Sequence, residues 1–346
     1  MFVKLRNSLI AAILALPGVY HAQAASDGVS EFFAGRSIVF VSPYDDDKYS
    51  KSIARHMVKY VPGNPSIRFR HMPGGRSRKI AAWLSSEAPR DGLIVAALLP
   101  DAIMAPLIGE GKSREISYDP LQFLFLGSAN SSTLVCLSDR AAPVQDFGEA
   151  LRTPLILGAT RDGGMTRDMA LALKNIIGAR FTLVPGYKDV DQVIRALKHG
   201  EVQRLCGYGW SNFNAGRLDL IKNGQVNVLV QLALDPYEGL SSMKVPMIWE
   251  YVDDPEDKET LQLIATAQYL GRPFAAAPGV ERKRLNALRV AFERTMRDVE
   301  FRADARRAGI EINPTTGDSV QKLVKKIFAT PKPILNRARL ARKAAG

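Results

Sequence analysis

The spacing of hydrophobic residues changes in a regular order along Leu155–Val202. A short apolar run at Leu155–Leu157 predicts a strand, and apolar residues at helical spacing over Met169–Ile177 predict a helix. A second strand is predicted at Phe181–Val184, followed by a helix in the segment Asp189–Gly200 with an aspartate N-cap and a terminal glycine. The stretch is therefore predicted to be a βαβα unit of a parallel sheet, in which ligands bind beside the carboxyl ends of the strands.

The loop Gly158–Thr166 lies at one of these strand ends and is rich in glycine. It leads into a helix N-terminus, where unpaired backbone N–H groups and the helix dipole favour an anion such as a carboxylate or phosphate. The alternative is that Gly163 and Gly164 only permit a tight turn. No Walker lysine follows the glycines and the dinucleotide pattern is absent, so the loop is not a nucleotide fingerprint.

Similar strand–loop–helix patterns precede this unit, and the C-terminal third is mostly helical in pattern. Further strands are predicted at Ile38–Val41, Ser66–Arg70, Leu93–Leu98, Phe123–Gly127, Thr133–Leu137 and Asn227–Leu232, and a short extended piece at Pro273–Ala276. Residues 25–35 are expected to be an irregular lead.

The length of the chain and the order of these elements predict an α/β protein of two lobes. The first lobe is expected to be discontinuous, comprising residues 36–130 and 233–330, and residues 131–232 form the second. Gly127–Ser132 is the expected hinge, because two neighbouring crossings between lobes allow closure around a ligand.

The N-terminus has the pattern of a secretory signal peptide. Lys4 and Arg6 precede an apolar core at Leu9–Leu16, and a small-residue site at Ala22–Ala24 predicts cleavage after Ala24. No cysteine follows that site, and no later apolar run is long enough to span a bilayer. We expect a soluble exported protein.

The formal net charge is +12, and it falls to +10 once Lys4 and Arg6 are removed. Much of the excess lies in a basic C-terminal tail, residues 331–346. Such a tail is typical of a solvated helix, and no basic motif interleaved with aromatic residues accompanies it. We therefore expect no nucleic-acid partner.

The residues that carry catalytic or metal chemistry are sparse and scattered. His56, His71 and His199 lack metal-ligand spacing, and we expect neither a metal, a cofactor nor catalysis. The two cysteines, Cys136 and Cys206, favour one disulfide in an oxidising compartment, with two buried free thiols as the alternative.

A series of different short motifs is spread along nearly the whole mature chain in a specific order. They are VPGNPS at 61–66, HMPGG at 71–75, APRDG at 88–92, GATRDGGMTRDMA at 158–170, GYKDVDQVIRALKHGEV at 186–202, LCGYGWS at 205–211, LGRPFAAAPGV at 270–280 and AGIEINPTTGDSVQKLV at 308–324. Together they resemble the periplasmic solute receptors of the tripartite tricarboxylate transporter family, the Bug-type receptors.

This resemblance implies a type II-like periplasmic-binding-protein fold, with two α/β lobes joined by crossing strands around a ligand cleft. It implies a monomer in the periplasm that delivers a small carboxylate or zwitterion to membrane transporter subunits. A related family variant has matching cysteines, which implies the Cys136–Cys206 disulfide.

The resemblance also implies the ligand-binding residues. The first-lobe loop supplies Ser42, Tyr44, Asp45, Asp46, Asp47 and Tyr49. The second-lobe loop supplies Gly158, Thr160, Arg161, Gly163, Gly164 and Thr166. The remaining wall is implied to contain Tyr187, Lys188, Gln203 and Tyr208.

Two departures from the family pattern affect the expected ligand. Asp45–Asp47 replaces a glycine-rich first loop and would repel an anion. The position of a common ligand-binding aspartate holds Gln203. One hypothesis is that the acidic loop meets the cationic end of a zwitterion or polyamine-like ligand, while Arg161, Lys188 and the amides of Gly163 and Gly164 take a carboxylate.

A second hypothesis is a hard cation held by the three aspartates and bridging to an anion. The structural alternative is that two of the three aspartates point to solvent and cap the following helix. At the level of function, the alternatives are a sensing module without transport and an exported hydrolase or lyase on a similar scaffold.

Overall fold

The computed structural model describes residues 28–109, 118–161 and 164–343. The predicted signal peptide lies outside these residues. Two separate β-sheets are present, each flanked by helices, with strand orders β11-β4-β10-β3-β1-β2 and β7-β6-β8-β5-β9. The strands are β1 Ser37–Ser42, β2 Ser66–His71, β3 Ile94–Ala97, β4 Leu124–Ser128, β5 Leu134–Asp139, β6 Leu155–Thr160, β7 Phe181–Tyr187, β8 Arg204–Gly209, β9 Val226–Leu232, β10 Pro273–Ala276 and β11 Thr315–Thr316.

Residues 28–33 form the first helix, α1. The later α-helices are α2 Lys48–Met57, α3 Arg78–Ser86, α4 Pro100–Ile108, α5 Phe147–Arg152, α6 Met165–Ile177, α7 Val190–Lys198, α8 Trp210–Lys222, α9 Glu238–Ser242, α10 Pro255–Leu270, α11 Arg282–Arg297, α12 Val299–Arg307, α13 Gly317–Phe328 and α14 Lys332–Ala341. The expectation of an irregular lead is wrong for residues 28–33, because Phe33 anchors α1 in the core with its side chain fully buried.

The first sheet takes strands from both ends of the described chain, whereas the second is continuous in sequence. In the first, β1 pairs in parallel with β2 and β3, and β10 runs antiparallel between β3 and β4. In the second, β6 is parallel to β7 and β8, and β5 is antiparallel to β8 and β9. The lobes are therefore β1–β4 with β10 and β11, and β5–β9.

The βαβα unit predicted from the sequence is confirmed. Gly178 ends α6 in the left-handed conformation, with φ 68°, as a C-terminal glycine is expected to do. The Asp189 side chain accepts a hydrogen bond from Gln192 N at 2.9 Å and caps α7. The helices that follow β6 and β8, α6 and α8, begin beside Tyr49 and the start of α4, which belong to the other lobe.

The chain crosses between the lobes at a closely packed point. After β4, the segment containing Asn130 leads to β5, and it contacts the segment after α10 that leads into β10. Arg272 N donates to Asn130 O at 3.2 Å. Position 271, with φ 53°, accepts only glycine, because an added Cβ would lie 1.4 Å from Asn130 O.

The predicted disulfide is present. Cys136 in β5 and Cys206 in β8 are paired neighbours in the second sheet and are bonded to each other, closing a loop with a sequence separation of 70. Both side chains are buried in the core. The bond therefore fastens the second lobe only.

The C-terminal segment forms helix α14, which packs against the rest of the protein. Its apolar side includes Ile334, Leu335 and Ala338, all buried. Arg339 Nε donates to Leu107 O at the end of α4, and Asn175 Nδ2 in α6 donates to Ala341 O, each at 2.9 Å. Helix α14 thus contacts both lobes. Within the described residues, no helix has both the length and the apolar character to cross a bilayer.

Candidate functional site: the cavity between the lobes

A cavity of about 230 Å³ lies between the two lobes. The first lobe contributes Tyr49 and the start of α4, the second contributes the starts of α6 and α8, and α10 closes one side. The charged and polar side chains that line it are Arg76, Asp101, Asn130, Ser132, Asp168, Asn212, Gln268, Arg272 and Arg342. Its position matches the carboxyl-end edge where open α/β sheets bind ligands.

Three helices present uncapped N-termini to this cavity. Helices α4, α6 and α8 begin after Leu99, Gly164 and Gly209, and none of these residues makes a side-chain cap bond in the described structure. The first N–H groups of a helix lack partners within the helix and carry the positive end of its dipole. Helix α4 contributes mainly its dipole, because Pro100 has no N–H and Ala102 N donates to Leu99 O. The cavity therefore favours an anion.

Six other helices have first N–H groups capped by a side chain, whereas α3, α9, α11 and α14 have no side-chain cap in the described structure. The capping residues of α2, α5, α7, α10, α12 and α13 are Asp47, Asp146, Asp189, Asp254, Asp298 and Thr316. In each of these six helices the cap side chain accepts from N–H groups of the first turn. The corresponding N–H groups of α4, α6 and α8 have no such side-chain partner in the described structure.

The arginines of the cavity differ in how they are partnered. Arg342 Nη1 lies 3.2 Å from Asp168 Oδ2, and its Nη2 donates to Ile108 O. The Arg272 guanidinium lies over the Tyr49 ring at 5.0 Å. Among the residues that the structure describes, neither Arg76 nor Arg272 has an ion-pair partner. These two arginines thus retain charge for a ligand.

The glycine-rich loop adjoins the cavity through the start of α6. Thr160 at the end of β6 and Thr166 in α6 are joined by a hydroxyl–hydroxyl hydrogen bond of 2.7 Å, and Thr160 N donates to Thr166 Oγ1 at 3.0 Å. A side chain at Gly164 would place its Cβ 2.2 Å from Thr160 Oγ1, so this turn needs glycine. Arg161 is exposed, and Gly163 lies outside the described residues.

Gly158 lies earlier in β6 and serves the packing of that strand. A Cβ there would meet Val193 at 2.8 Å and Val202 at 3.0 Å. The position is therefore explained by the contact between β6 and α7.

The first-lobe loop is built around the buried side chain of Asp47. Its Oδ1 accepts from Tyr49 N at 3.1 Å and Ser50 N at 3.3 Å, and its Oδ2 accepts from the hydroxyls of Ser42 and Ser50, each at 2.7 Å. Asp47 is 6% exposed. Its carboxylate is therefore occupied within the loop.

Tyr44, Asp45 and Asp46 are exposed and lie away from the cavity lining. Tyr44 and Asp45 instead line a separate depression that includes Phe69 on the edge strand β2. Asp46 Oδ1 pairs with Lys51 Nζ at 3.2 Å. Of the first-loop residues, the structure brings Tyr49 to the cavity between the lobes.

The remaining predicted wall residues occupy other places in the second lobe. Gln203 precedes β8, and its Oε1 accepts from Ile156 N at 2.9 Å near the amino end of β6. The Tyr208 hydroxyl accepts from Arg217 Nη1 at 2.9 Å. Tyr187 is half-buried and Lys188 is exposed. None of the four is in the described lining of the cavity.

Tyr49 belongs to a small network at the crossing between lobes. Its hydroxyl donates to Glu311 O at 3.1 Å, and Asn130 Nδ2 lies 3.4 Å from the same hydroxyl. Burial raises the pKa of Tyr49, so the phenol keeps its proton at neutral pH. Burial also raises the pKa of the Glu311 carboxyl, whose Oε2 is buried without a partner in the described structure.

Sequence reasoning missed Arg76, Asn130, Arg272 and Arg342. Arg272 stands in the motif LGRPF, and Asn130 stands in the predicted hinge, so a signal for both was present. Arg342 gave no signal beyond the basic composition of the tail. Its role depends on where α14 packs.

One cluster outside the cavity has the composition of a metal site. Ligand atoms of His56, Asp298 and Glu300 lie within 4.8 Å of one another. The Lys59 ammonium already lies among them, 3.3 Å from His56 Nδ1 and 3.7 Å from Asp298 Oδ2. It supplies the positive charge that these carboxylates need, so we assign no metal there.

Comparison with known proteins gives structural matches only. No protein-family model and no curated protein matches the chain. A TctC solute-binding protein from Polaromonas, without ligand, matches with a TM-score of 0.67 and 17% identity, covering 87% of this chain and 98% of that one.

Two structures from Rhodopseudomonas palustris also match. MatC with bound malate has a TM-score of 0.57 and 16% identity, covering 90% of this chain and 100% of that one. A protein with bound adipate has a TM-score of 0.58 and 18% identity, covering 88% and 97%. At such identities the likeness shows the fold, and the predicted two-lobed binding-protein fold is confirmed.

Proposed function

We propose that this chain is the extracytoplasmic substrate-binding protein of a tripartite tricarboxylate-type uptake system, and that it captures a small organic carboxylate or zwitterion. The observation that carries the proposal is the cavity between the lobes, where three uncapped helix N-termini meet Arg76 and Arg272. Backbone N–H groups and guanidinium groups are the donors that bind carboxylates best.

The charge of the lining supports an anionic ligand. Three arginines line the cavity against two aspartates. Asp101 is paired with Arg78 at 2.9 Å and Asp168 with Arg342 at 3.2 Å. The aspartates are thus neutralised locally, and a ligand carboxylate would bring the remaining positive charge toward balance.

The crossing between the lobes supports capture by closure. Asn130 and Arg272 lie on the two crossing segments and also line the cavity, so movement of one lobe relative to the other changes the binding site directly. A hinge of this kind absorbs backbone rotation in a few residues. The structural neighbours MatC and the adipate complex support a small carboxylate as the ligand class.

The proposal places the protein in the periplasm as a monomer, after cleavage following Ala24, with the membrane subunits of the uptake system as its partners. It assigns no catalytic step. The hydroxyls of Ser132 and Ser211 are 3.0 Å apart near the cavity, but neither has a histidine partner among the described residues. A serine without such a base is a poor nucleophile.

The test is ligand binding without turnover. Native mass spectrometry of the purified protein should reveal a small co-purified acid, and malate or adipate should raise the unfolding temperature, because a ligand of the native state stabilises it. Conversion of the bound acid to a product would contradict the proposal. So would the absence of stabilisation across carboxylates of four to six carbons.

Arg272→Gln tests the site itself. Loss of one charge-assisted hydrogen bond costs about 1.5–3 kcal/mol, so the affinity for whichever probe binds should fall by roughly 10- to 100-fold. Arg282→Gln, which removes an exposed arginine at the start of α11, is the matched control and should leave the affinity unchanged. Equal effects of the two substitutions would argue for nonspecific attraction.

A further inference from the structure

Asn130 is held rigidly at the point where the chain passes between the lobes. Its backbone carbonyl accepts from Arg272 N at 3.2 Å and lies 2.9 Å from Ser128 Oγ, whose single proton has Leu270 O, at 2.7 Å, as its nearer acceptor. Gly271 packs against that carbonyl with no space for a side chain. The position of the Asn130 side chain in the cavity wall is therefore set by both crossing segments.

The orientation of the Asn130 amide follows from its neighbour Tyr49. The single phenolic proton of Tyr49 is donated to Glu311 O at 3.1 Å. The Tyr49 oxygen can then only accept from Asn130, so the amide nitrogen Nδ2, at 3.4 Å, must face it. The amide oxygen Oδ1 of Asn130 therefore faces away from the Tyr49 hydroxyl.

Asn130 Oδ1 is a buried acceptor without a partner in the described structure. The residue is 7% exposed and lines the cavity between the lobes. A buried polar atom left unpaired costs about 1–3 kcal/mol. The arginines and helix N–H groups that attract a carboxylate are donors, and the two aspartates of the lining, Asp101 and Asp168, are paired with Arg78 and Arg342. Asn130 Oδ1 is the buried acceptor of this lining that has no partner in the described structure.

We infer that Asn130 is a specificity-determining residue, and that the ligand carries a hydrogen-bond donor beside its carboxylate. A hydroxyl or a protonated amino group would donate to Oδ1 while the carboxylate meets the arginines. The ligand class is then a hydroxy acid or an amino acid, in preference to an unsubstituted dicarboxylate of the same length. This inference rests on the proposed function.

A site built to pair with a polar ligand group rejects the analogue that lacks the group, because its own polar atom then stays unpaired. The substituted ligand gains one hydrogen bond and also satisfies the buried acceptor Oδ1. Together these gains correspond to an affinity roughly tenfold or more above that of the unsubstituted ligand.

Matched ligands that differ in one group provide the experiment. Calorimetric titration of the purified protein compares malate and aspartate with succinate, and 2-hydroxyglutarate with glutarate. The hydroxy or amino member of at least one set should bind at least tenfold more tightly than the unsubstituted member. This ratio tests the inference in the wild-type protein, without any variant.

Asn130→Leu removes the acceptor and should bring the two affinities of a pair to within about twofold, mainly by weakening the substituted ligand. Asn212→Leu removes an exposed amide from the same cavity and should change both affinities by a common factor. Thermal unfolding of each variant checks that it folds.

The outcomes separate the inference from the proposed function. If unsubstituted dicarboxylates bind as tightly as their hydroxy and amino partners, the inference is overturned and the proposed function stands. If no member of any pair binds, both are overturned. A preference that survives Asn130→Leu would assign selectivity to another residue.

Discussion

The loop that follows β1 in the first lobe and the loop that follows β6 in the second share a framework and differ in chemistry. In the first lobe, Ser42 at the end of β1 donates to Asp47, which caps α2. In the second, Thr160 at the end of β6 bonds to Thr166 in the first turn of α6. Both bonds are 2.7 Å long and brace a strand end against the next helix.

The difference lies in which atoms satisfy the start of the helix. Asp47 accepts from Tyr49 N and Ser50 N, so its carboxylate occupies the place where a ligand carboxylate would bind. Gly164 has no side chain and leaves the start of α6 without a side-chain cap. An aspartate cap and an anion site thus use the same donors, and the first lobe contributes the start of α4 to the cavity instead.

The lobes also differ in covalent support, and this gives the largest expected effect. The double substitution Cys136→Ser, Cys206→Ser should lower the free energy of unfolding of the second lobe by about 4 kcal/mol, from the loss of a constraint on a loop of 70 residues. Hydrogen exchange should accelerate in β5–β9. Equal acceleration in β1–β3 would contradict a difference between lobes.

Asp47→Ala separates support of the loop from ligand binding. It removes the cap of α2 and the acceptor of two buried hydroxyls, so the free energy of unfolding should fall by about 2 kcal/mol. The affinity for malate should stay within twofold. Chemical denaturation and titration measure the two quantities.

The control for Asp47→Ala is Asp189→Ala, which removes an exposed cap with one backbone bond and should cost about 1 kcal/mol. A large loss of malate affinity in Asp47→Ala alone would place the first loop in the binding site.

Gly164→Ala affects the loop at the cavity. The new Cβ would lie 2.2 Å from Thr160 Oγ1, so the turn at the start of α6 must shift. Malate affinity should fall about tenfold, which corresponds to about 1.4 kcal/mol. Gly216→Ala in α8, where nothing lies within 4 Å, is the matched control. Unchanged affinity in Gly164→Ala would exclude this loop from the site.

Much of the framework in this comparison was predictable from local pattern. The period of apolar residues predicted the βαβα unit. Gly178 and Asp189 marked helix ends, because a left-handed glycine and a capping carboxylate each act on the backbone of the adjacent turn. The disulfide followed from two cysteines together with the family resemblance. These signals depend on neighbours in sequence or on a whole ordered set of motifs.

The composition of the cavity was not predictable in the same way. Arg76, Arg272 and Arg342 are far apart in sequence and meet only because the lobes and α14 pack together. A run of aspartates drew attention to the first loop, yet whether a carboxylate caps a helix or faces a ligand depends on the direction of its side chain. No period in the sequence encodes that direction.

A smaller, pH-dependent effect is expected beside Tyr49, where the first loop ends. Burial raises the pKa of Glu311, so the folded state disfavours its charged form, and stability contributed by the protonated form is lost as the pH rises through the folded pKa. Glu311→Gln should therefore raise the unfolding temperature at pH 7. The gain should vanish below the ordinary glutamate pKa, where both states are protonated. An equal gain at all pH values would indicate a packing effect.

The smallest effect is expected from the two exposed aspartates of the first loop. The double substitution Asp45→Asn, Asp46→Asn removes one surface ion pair, between Asp46 and Lys51, and surface pairs contribute roughly 0–1 kcal/mol. Titration with malate, and with aspartate as a zwitterion, should give wild-type affinities with and without a chelator. A loss of affinity for aspartate alone would restore an ammonium site at this loop, and a chelator-sensitive loss for both ligands would restore a bridging cation. Because Asp47 is already occupied by four hydrogen-bond donors, we expect neither.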